Sequence, residues 1–100
     1  MDDYDIRLAG LAVAQYDDLL ARATAAGKRE EFERRYGELF RVIRDPRGAF
    51  QVGRPVGQTN LPGGFYRDWQ WHFLYVRYAI FPDAECGWIY HIEFSPSSWA

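Results

Sequence analysis

The chain is 100 residues long, 48% apolar and 26% charged, the size and composition of one folded domain rather than of two, or of a disordered segment. Its net charge of -2 excludes general attraction to nucleic acid or to an anionic membrane. Residues 1–45 carry eight basic and ten acidic side chains, and residues 46–100 carry four of each. Any nucleic-acid partner must therefore be met by a local patch.

The N-terminus, Met1-Asp2-Asp3-Tyr4-Asp5, is acidic and lacks the basic-then-apolar pattern of a secretion signal. No apolar run is long enough to span a bilayer. Cys86 stands alone, which rules out an intrachain disulfide and a cysteine-built zinc site. These features point to a cytoplasmic domain with no membrane association.

Residues 3–9 alternate Tyr4, Ile6 and Leu8 against Asp3, Asp5 and Arg7, the period of a half-buried strand. Gly10 breaks the pattern. Leu11, Ala14, Leu19 and Ala23 then suit a helix closed by Gly27 in a left-handed cap. A second helix is marked by the stripe Phe32, Tyr36, Leu39, Phe40 and Ile43. Glu30 with Arg34 and Glu31 with Arg35 are spaced to pair along its outer face. Asp45-Pro46 ends it. The two helices should fold back on each other as an antiparallel hairpin.

Residues 46–64 hold five glycines and three prolines, with Phe50, Val52, Val56 and Leu61 as apolar anchors. They read as a long ordered loop with one short strand at 50–54, and loops of that length are more often functional than not. Strands follow at 65–81 and 87–94, separated by the turn Pro82-Asp83-Ala84-Glu85-Cys86-Gly87. Leu74, Val76, Tyr78 and Ile80 give the first of these an apolar face, whereas Trp71, Phe73, Tyr75, Arg77 and Ala79 make a mixed one. A ribbon of this kind is unstable alone and requires a cover. The expected fold class is α+β: a short N-terminal strand, then a helical hairpin packed on one face of a C-terminal antiparallel sheet.

The sequence has no phosphate-binding glycine motif. Asp17-Asp18 read as solvated helix-surface charge. Histidine is the side chain best suited to proton transfer near neutral pH, and His72 and His91 lie on strands that a hairpin would set side by side. They suit either a general acid–base pair or hydrogen-bonded sheet histidines, and no third ligand accompanies them to make a metal site. Ser95, Ser97 and Ser98 lack the strained elbow of a serine nucleophile. Arg54, Arg67 and Arg77 sit in aromatic or glycine-rich surroundings and suit either phosphate binding or packing on rings. Tyr66, Trp69 and Trp71 could stack bases beside them. With tryptophans at 69, 71, 88 and 99, a small sheet can hardly bury every ring, so some should face a partner.

In the order and spacing of its segments the chain resembles the RelE/ParE toxins of bacterial toxin–antitoxin pairs. The matching segments are Tyr4-Asp5-Ile6-Arg7-Leu8, Tyr16-Asp17-Asp18-Leu19-Leu20, Asp45-Pro46, Leu61-Pro62-Gly63-Gly64-Phe65-Tyr66-Arg67, Phe73-Leu74-Tyr75-Val76 and Ile89-Tyr90-His91-Ile92. The resemblance implies a protein that cleaves messenger RNA on the ribosome or poisons DNA gyrase, with a cognate antitoxin masking its sheet. Arg67 matches a basic position at the start of the family's central sheet. The arginine that RNA-cleaving members carry in the next strand is replaced around His72 or Phe73, and Ser95-Pro96-Ser97-Ser98 stands where a basic residue often follows the last strand.

For RNA cleavage the resemblance implies a cofactor-free transesterification. His91 or His72 would act as base or acid, Arg67 and Arg77 would clamp the phosphate, and Tyr90 would stack. The alternatives are a non-catalytic binding module that grips a protein through the tryptophan-rich sheet and the 46–64 loop, and a homodimer formed through the exposed strand face.

Overall fold

The computed structural model describes residues 3–95, and their architecture is the expected α+β arrangement. In chain order the elements are β1 (Asp5–Leu8), α1 (Gly10–Ala25), α2 (Arg29–Arg44), a short α3 (Gly48–Gln51), β2 (Arg54–Gln58), β3 (Phe65–Trp71), β4 (Leu74–Phe81) and β5 (Cys86–Phe94). The sheet order is β1-β5-β4-β3-β2. All neighbouring strands are antiparallel except β1 and β5, so the sheet is mixed.

The helical hairpin turns at Gly27, whose φ of 73° is left-handed. The Gly27 N–H donates to the Thr24 carbonyl and the Lys28 N–H to the Ala23 carbonyl, the paired bonds of a Schellman cap. On α2 the expected stripe faces the core, with Phe32, Leu39 and Ile43 fully buried and Tyr36 and Phe40 half-buried. Burial pushes the Tyr36 phenol up to about 12, with a smaller contribution from Tyr16. The buried side of α1 is Ala12, Leu19 and Ala23 rather than the stripe that includes Leu11 and Ala14, both exposed. The helix starts at Gly10, and within its first turn Ala12 is fully buried while Leu11 and Val13 are exposed. The ion pairs also shift: Arg29 meets Glu33 and Arg35 meets Glu38, in place of Glu30 with Arg34 and Glu31 with Arg35.

The largest departure lies between residues 65 and 81, read from the sequence as one strand. Trp71 pairs directly with Leu74, so His72 and Phe73 form a two-residue turn between β3 and β4. His72 takes the left-handed conformation that the turn needs, with φ of 56°. A second correction is local: residues 50–54 are not a strand, since α3 occupies 48–51 and the strand lies at 54–58.

Leu74, Val76, Tyr78 and Ile80 of β4 and Ile89 and Ile92 of β5 are fully or almost fully buried beneath the helices. Each such side chain contributes about 1.5–3 kcal/mol of transfer free energy. The Tyr78 hydroxyl donates to the Ala49 carbonyl at 2.7 Å, which ties α3 to this core. The helices cover one side of the sheet and leave the other open.

Beyond Ile89, the edge of β5 opposite β4 has no strand beside it, because β1 pairs only with Cys86–Ile89. The α1 helix takes over there, and the Gln15 Oε1 accepts the Ile92 N–H at 2.9 Å. An edge amide that β1 cannot reach is thus satisfied by a helix side chain.

Candidate functional site on the open sheet face

Side chains directly opposite one another on neighbouring strands point to the same side of a sheet. Tyr66, Asp68 and Gln70 lie opposite Ala79, Arg77 and Tyr75, and Tyr75, Arg77 and Ala79 lie opposite Glu93, His91 and Trp88. Arg54 joins them opposite Asp68. Tyr90 occupies the β5 bulge, where the register shifts opposite Arg77 and Tyr78, and its ring meets Tyr66 edge-on at 5.2 Å between centroids. These residues make up the open face.

The pairing separates several residues that the sequence suggested would act together. Arg67, Trp69 and Trp71 lie opposite Tyr78, Val76 and Leu74, on the helix side. The Arg67 Nε and Nη2 donate to the Val52 carbonyl at 3.2 and 2.8 Å, away from Arg77. Trp71 donates its Nε1–H to Glu38 at 3.2 Å, and Trp69 packs on Trp71. The Glu38 carboxyl is held below its usual range, first by the Trp71 bond and then by Arg35. Both tryptophans are half-buried, and Trp69 also lines the depression beside Arg54 and Tyr75. His72 sits in the β3–β4 turn against the Trp71 ring, so the two histidines are not neighbours. The cause is common to all four: a two-residue turn inverts the alternation between β3 and β4, which a single long strand would have preserved. Trp99, Ser97 and Ser98 lie outside the described residues. Ser95 is buried, and its N–H donates to the Phe73 carbonyl.

What the fold brings together is one connected polar cluster. Asp68, only 4% exposed, accepts from Arg77 Nε and Nη2 at 2.6 and 3.0 Å, and Arg54 Nη2 lies 3.8 Å from its Oδ2. The Arg77 hydrogen bond outweighs burial and holds the Asp68 carboxyl below the usual carboxylate range, aided by Tyr75. The same bond raises the Arg77 guanidinium further, so it stays charged.

Next to it, His91 Nε2 lies 3.3 Å from Glu93 Oε2, and His91 Nδ1 lies 3.2 Å from Gln15 Nε2. The Tyr75 ring stands edge-on to the imidazole. Leu11, Tyr75, Arg77, Tyr90, His91 and Glu93 line a shallow cavity of about 370 Å³. A depression of about 280 Å³ continues past Tyr75 to Arg54, Asp68 and Gln70. Burial raises the Tyr90 phenol well above its ordinary value, with Tyr66 the next cause, so at neutral pH it is a donor. Burial and the Asp68 contact likewise raise Tyr75.

Sequence reasoning missed Asp68, Tyr75, Glu93 and Gln15. Glu93 was detectable as the i+2 neighbour of His91, on the same strand face. Gln15 was not, because nothing in its helix indicates which edge it reaches. Among the described residues no three His, Cys, Asp or Glu side chains are gathered as a metal cluster, and no helix is long and apolar enough to cross a membrane. No protein-family profile matches the chain, and neither a curated protein nor a solved structure matches it.

Proposed function

We propose that this chain is the toxin of a RelE/ParE-like toxin–antitoxin pair, acting in the cytoplasm by cleaving messenger RNA and silenced by an antitoxin that covers the open sheet face. The single observation that carries the reading is the grouping of His91, Glu93, Arg77, Arg54 and Tyr90 on the one side of the sheet that the helices leave bare. The revised strand boundaries support it further. The strand after the one bearing Arg67 is β4, and its Arg77 is a candidate for the arginine that the resemblance implies in that strand.

RNA cleavage without a cofactor needs a base for the 2'-hydroxyl, cations for the phosphate and a surface for the bases. Glu93 takes the 2'-hydroxyl proton as the 2'-oxygen bonds to phosphorus. The bond from phosphorus to the 5'-oxygen breaks, and the departing oxygen takes a proton from water on the open face. His91 Nε2–H and the outer guanidinium edges of Arg77 and Arg54 oppose the charge that develops on the phosphate. Tyr66 and Tyr90, already set edge to face, provide aromatic surface for a base.

A second reading has its own support. Asp68 already engages two nitrogens of Arg77, and Gln15 engages His91 Nδ1. A face so internally satisfied also suits a non-catalytic grip on gyrase or another protein. Its aromatics would be Tyr66, Trp88 and Tyr90, because Trp69 and Trp71 face the helices.

Inducible expression in bacteria separates the two. The RNA reading expects growth arrest by the wild-type chain, relief by His91→Ala or Glu93→Gln, and cleavage of an RNA but not of its 2'-deoxy analogue by the purified protein. Arrest that survives both substitutions transfers the assignment to the second reading. A wild-type chain that leaves growth untouched overturns both.

A further inference from the structure

We propose that Gln15 is the positioning residue of His91, fixing its neutral ring as the Nε2–H tautomer and leaving that proton on the open face beside Glu93. The inference deepens the RNA reading, which alone gives His91 a chemical task, but the geometry behind it is independent of any activity.

A glutamine amide can ordinarily be turned either way, and its orientation must be inferred from its partners. Here one partner leaves no choice. The main-chain N–H of Ile92 can only donate, so the Gln15 atom 2.9 Å away is the carbonyl oxygen. The other end of the amide is therefore the NH₂ group, and it lies 3.2 Å from His91 Nδ1. An amide nitrogen has donors and no acceptor lone pair. Nδ1 must accept, so the ring proton sits on Nε2, whose neighbour at 3.3 Å is the acceptor Glu93 Oε2. Ile92 N–H, Gln15 and His91 form one hydrogen-bonded chain running from the strand edge to the open face, where Glu93 lies beside Nε2.

The arrangement exists because β1 stops at Leu8. With no strand on the β1 side of the end of β5, α1 supplies the missing acceptor, and the same side chain reaches round the edge to the imidazole. A second proton on the ring, at Nδ1, would face the Gln15 NH₂ and lose that bond. The ring's one proton, on Nε2, is therefore the donor available to the phosphate on the open face, while the proton-accepting role falls to Glu93.

The test is long-range proton–nitrogen NMR on the full chain labelled with ¹⁵N-histidine, at a pH high enough that the ring shifts no longer move. His72→Gly removes the other histidine signal for assignment. The wild type should show an unprotonated-type shift at Nδ1 and a protonated-type shift at Nε2. Gln15→Glu is nearly isosteric and still accepts from Ile92, but its carboxylate can only accept from Nδ1, so the tautomer should switch to Nδ1–H. Gln15→Met should give a mixture. A wild-type ring protonated at Nδ1, or an unchanged tautomer in folded Gln15→Glu, overturns the proposal, and the wild-type spectrum decides alone if the variants do not fold. A protein that cleaves no RNA but gives the expected spectra keeps Gln15 in this role and removes the RNA reading. Cleavage with the opposite tautomer does the reverse.

Discussion

Arg77 and Asp68 face each other across β3 and β4 and are joined by two hydrogen bonds, at 2.6 and 3.0 Å, with the carboxylate almost wholly buried. The pair holds the centre of the open face rigid, and it leaves only the outer edge of the guanidinium for a ligand.

Asp68→Asn should cost about 1.5–3 kcal/mol in urea unfolding, the range for hydrogen bonds to a charged group. The pH dependence has a definite sign. The Arg77 bond lowers the folded-state pKa of Asp68 below its unfolded value. The stability it contributes is therefore complete above the ordinary carboxyl pKa of about 3.9 and is lost as pH falls through the folded value. The gap between wild type and variant should be widest at neutral pH and close below about pH 4.

Tyr78 is fully buried, and its hydroxyl is the bond that the core offers to the Ala49 carbonyl. Tyr78→Phe keeps the ring packing and removes the donor, so it should cost about 1 kcal/mol. Hydrogen exchange should rise at Val52, whose N–H closes α3 on Gly48, more than in β4 itself. Equal acceleration throughout the sheet would mean that the bond does not anchor this segment.

His72→Gly tests whether this histidine belongs to a turn or to a site. The left-handed backbone at His72 costs a non-glycine residue about 1–2 kcal/mol. Glycine removes that cost but adds freedom to the unfolded chain. Stability should stay within about 1 kcal/mol of wild type, and growth arrest by the expressed chain should be undiminished. A loss of arrest as complete as that from His91→Ala would return His72 to the site.

The fold class, both long helices, the Gly27 cap and the apolar face of β4 were legible in the sequence, because each rests on periodicity or on a local cap. The site was legible only in part. His91, Arg77, Arg54, Tyr66 and Tyr90 lie on the open face as a group, whereas Arg67, His72, Trp69 and Trp71 do not. One local event accounts for the split. The turn at His72-Phe73 contains no glycine, asparagine or proline, the residues that usually mark a two-residue hairpin. Missing it reverses the side assigned to every residue of β3, since a strand alternates with period two. Asp68 was unreadable for a related reason, as its burial depends on two arginines from other strands.

Gly53 precedes β2 with a left-handed φ of 65°, and a side chain there would run into the Asp68 carbonyl and the Cβ of Trp69. Gly53→Ala should therefore cost about 2–4 kcal/mol through backbone strain and displacement of β3 together. Thermal unfolding gives the loss. The shift should also weaken the Arg54–Asp68 ion pair, which begins one residue later.

Arg67 and Arg54 separate packing from recognition, because their guanidinium groups have opposite fates. Arg54 is exposed on the open face, while Arg67 is spent on the Val52 carbonyl. Arg67→Ala should destabilise the chain by about 1–2 kcal/mol without changing the salt dependence of single-stranded RNA binding. Arg54→Ala should leave stability nearly unchanged, since a surface ion pair contributes little. It should instead reduce the slope of log affinity against log salt by about 0.7, the increment that each neutralised phosphate of a single strand adds. Arg77→Ala should do both, because it removes a cation from the open face and leaves the buried Asp68 without its closest partner. A slope that responds to Arg67 and not to Arg54 would place the RNA on the helix side of the sheet, and the open-face site would fall.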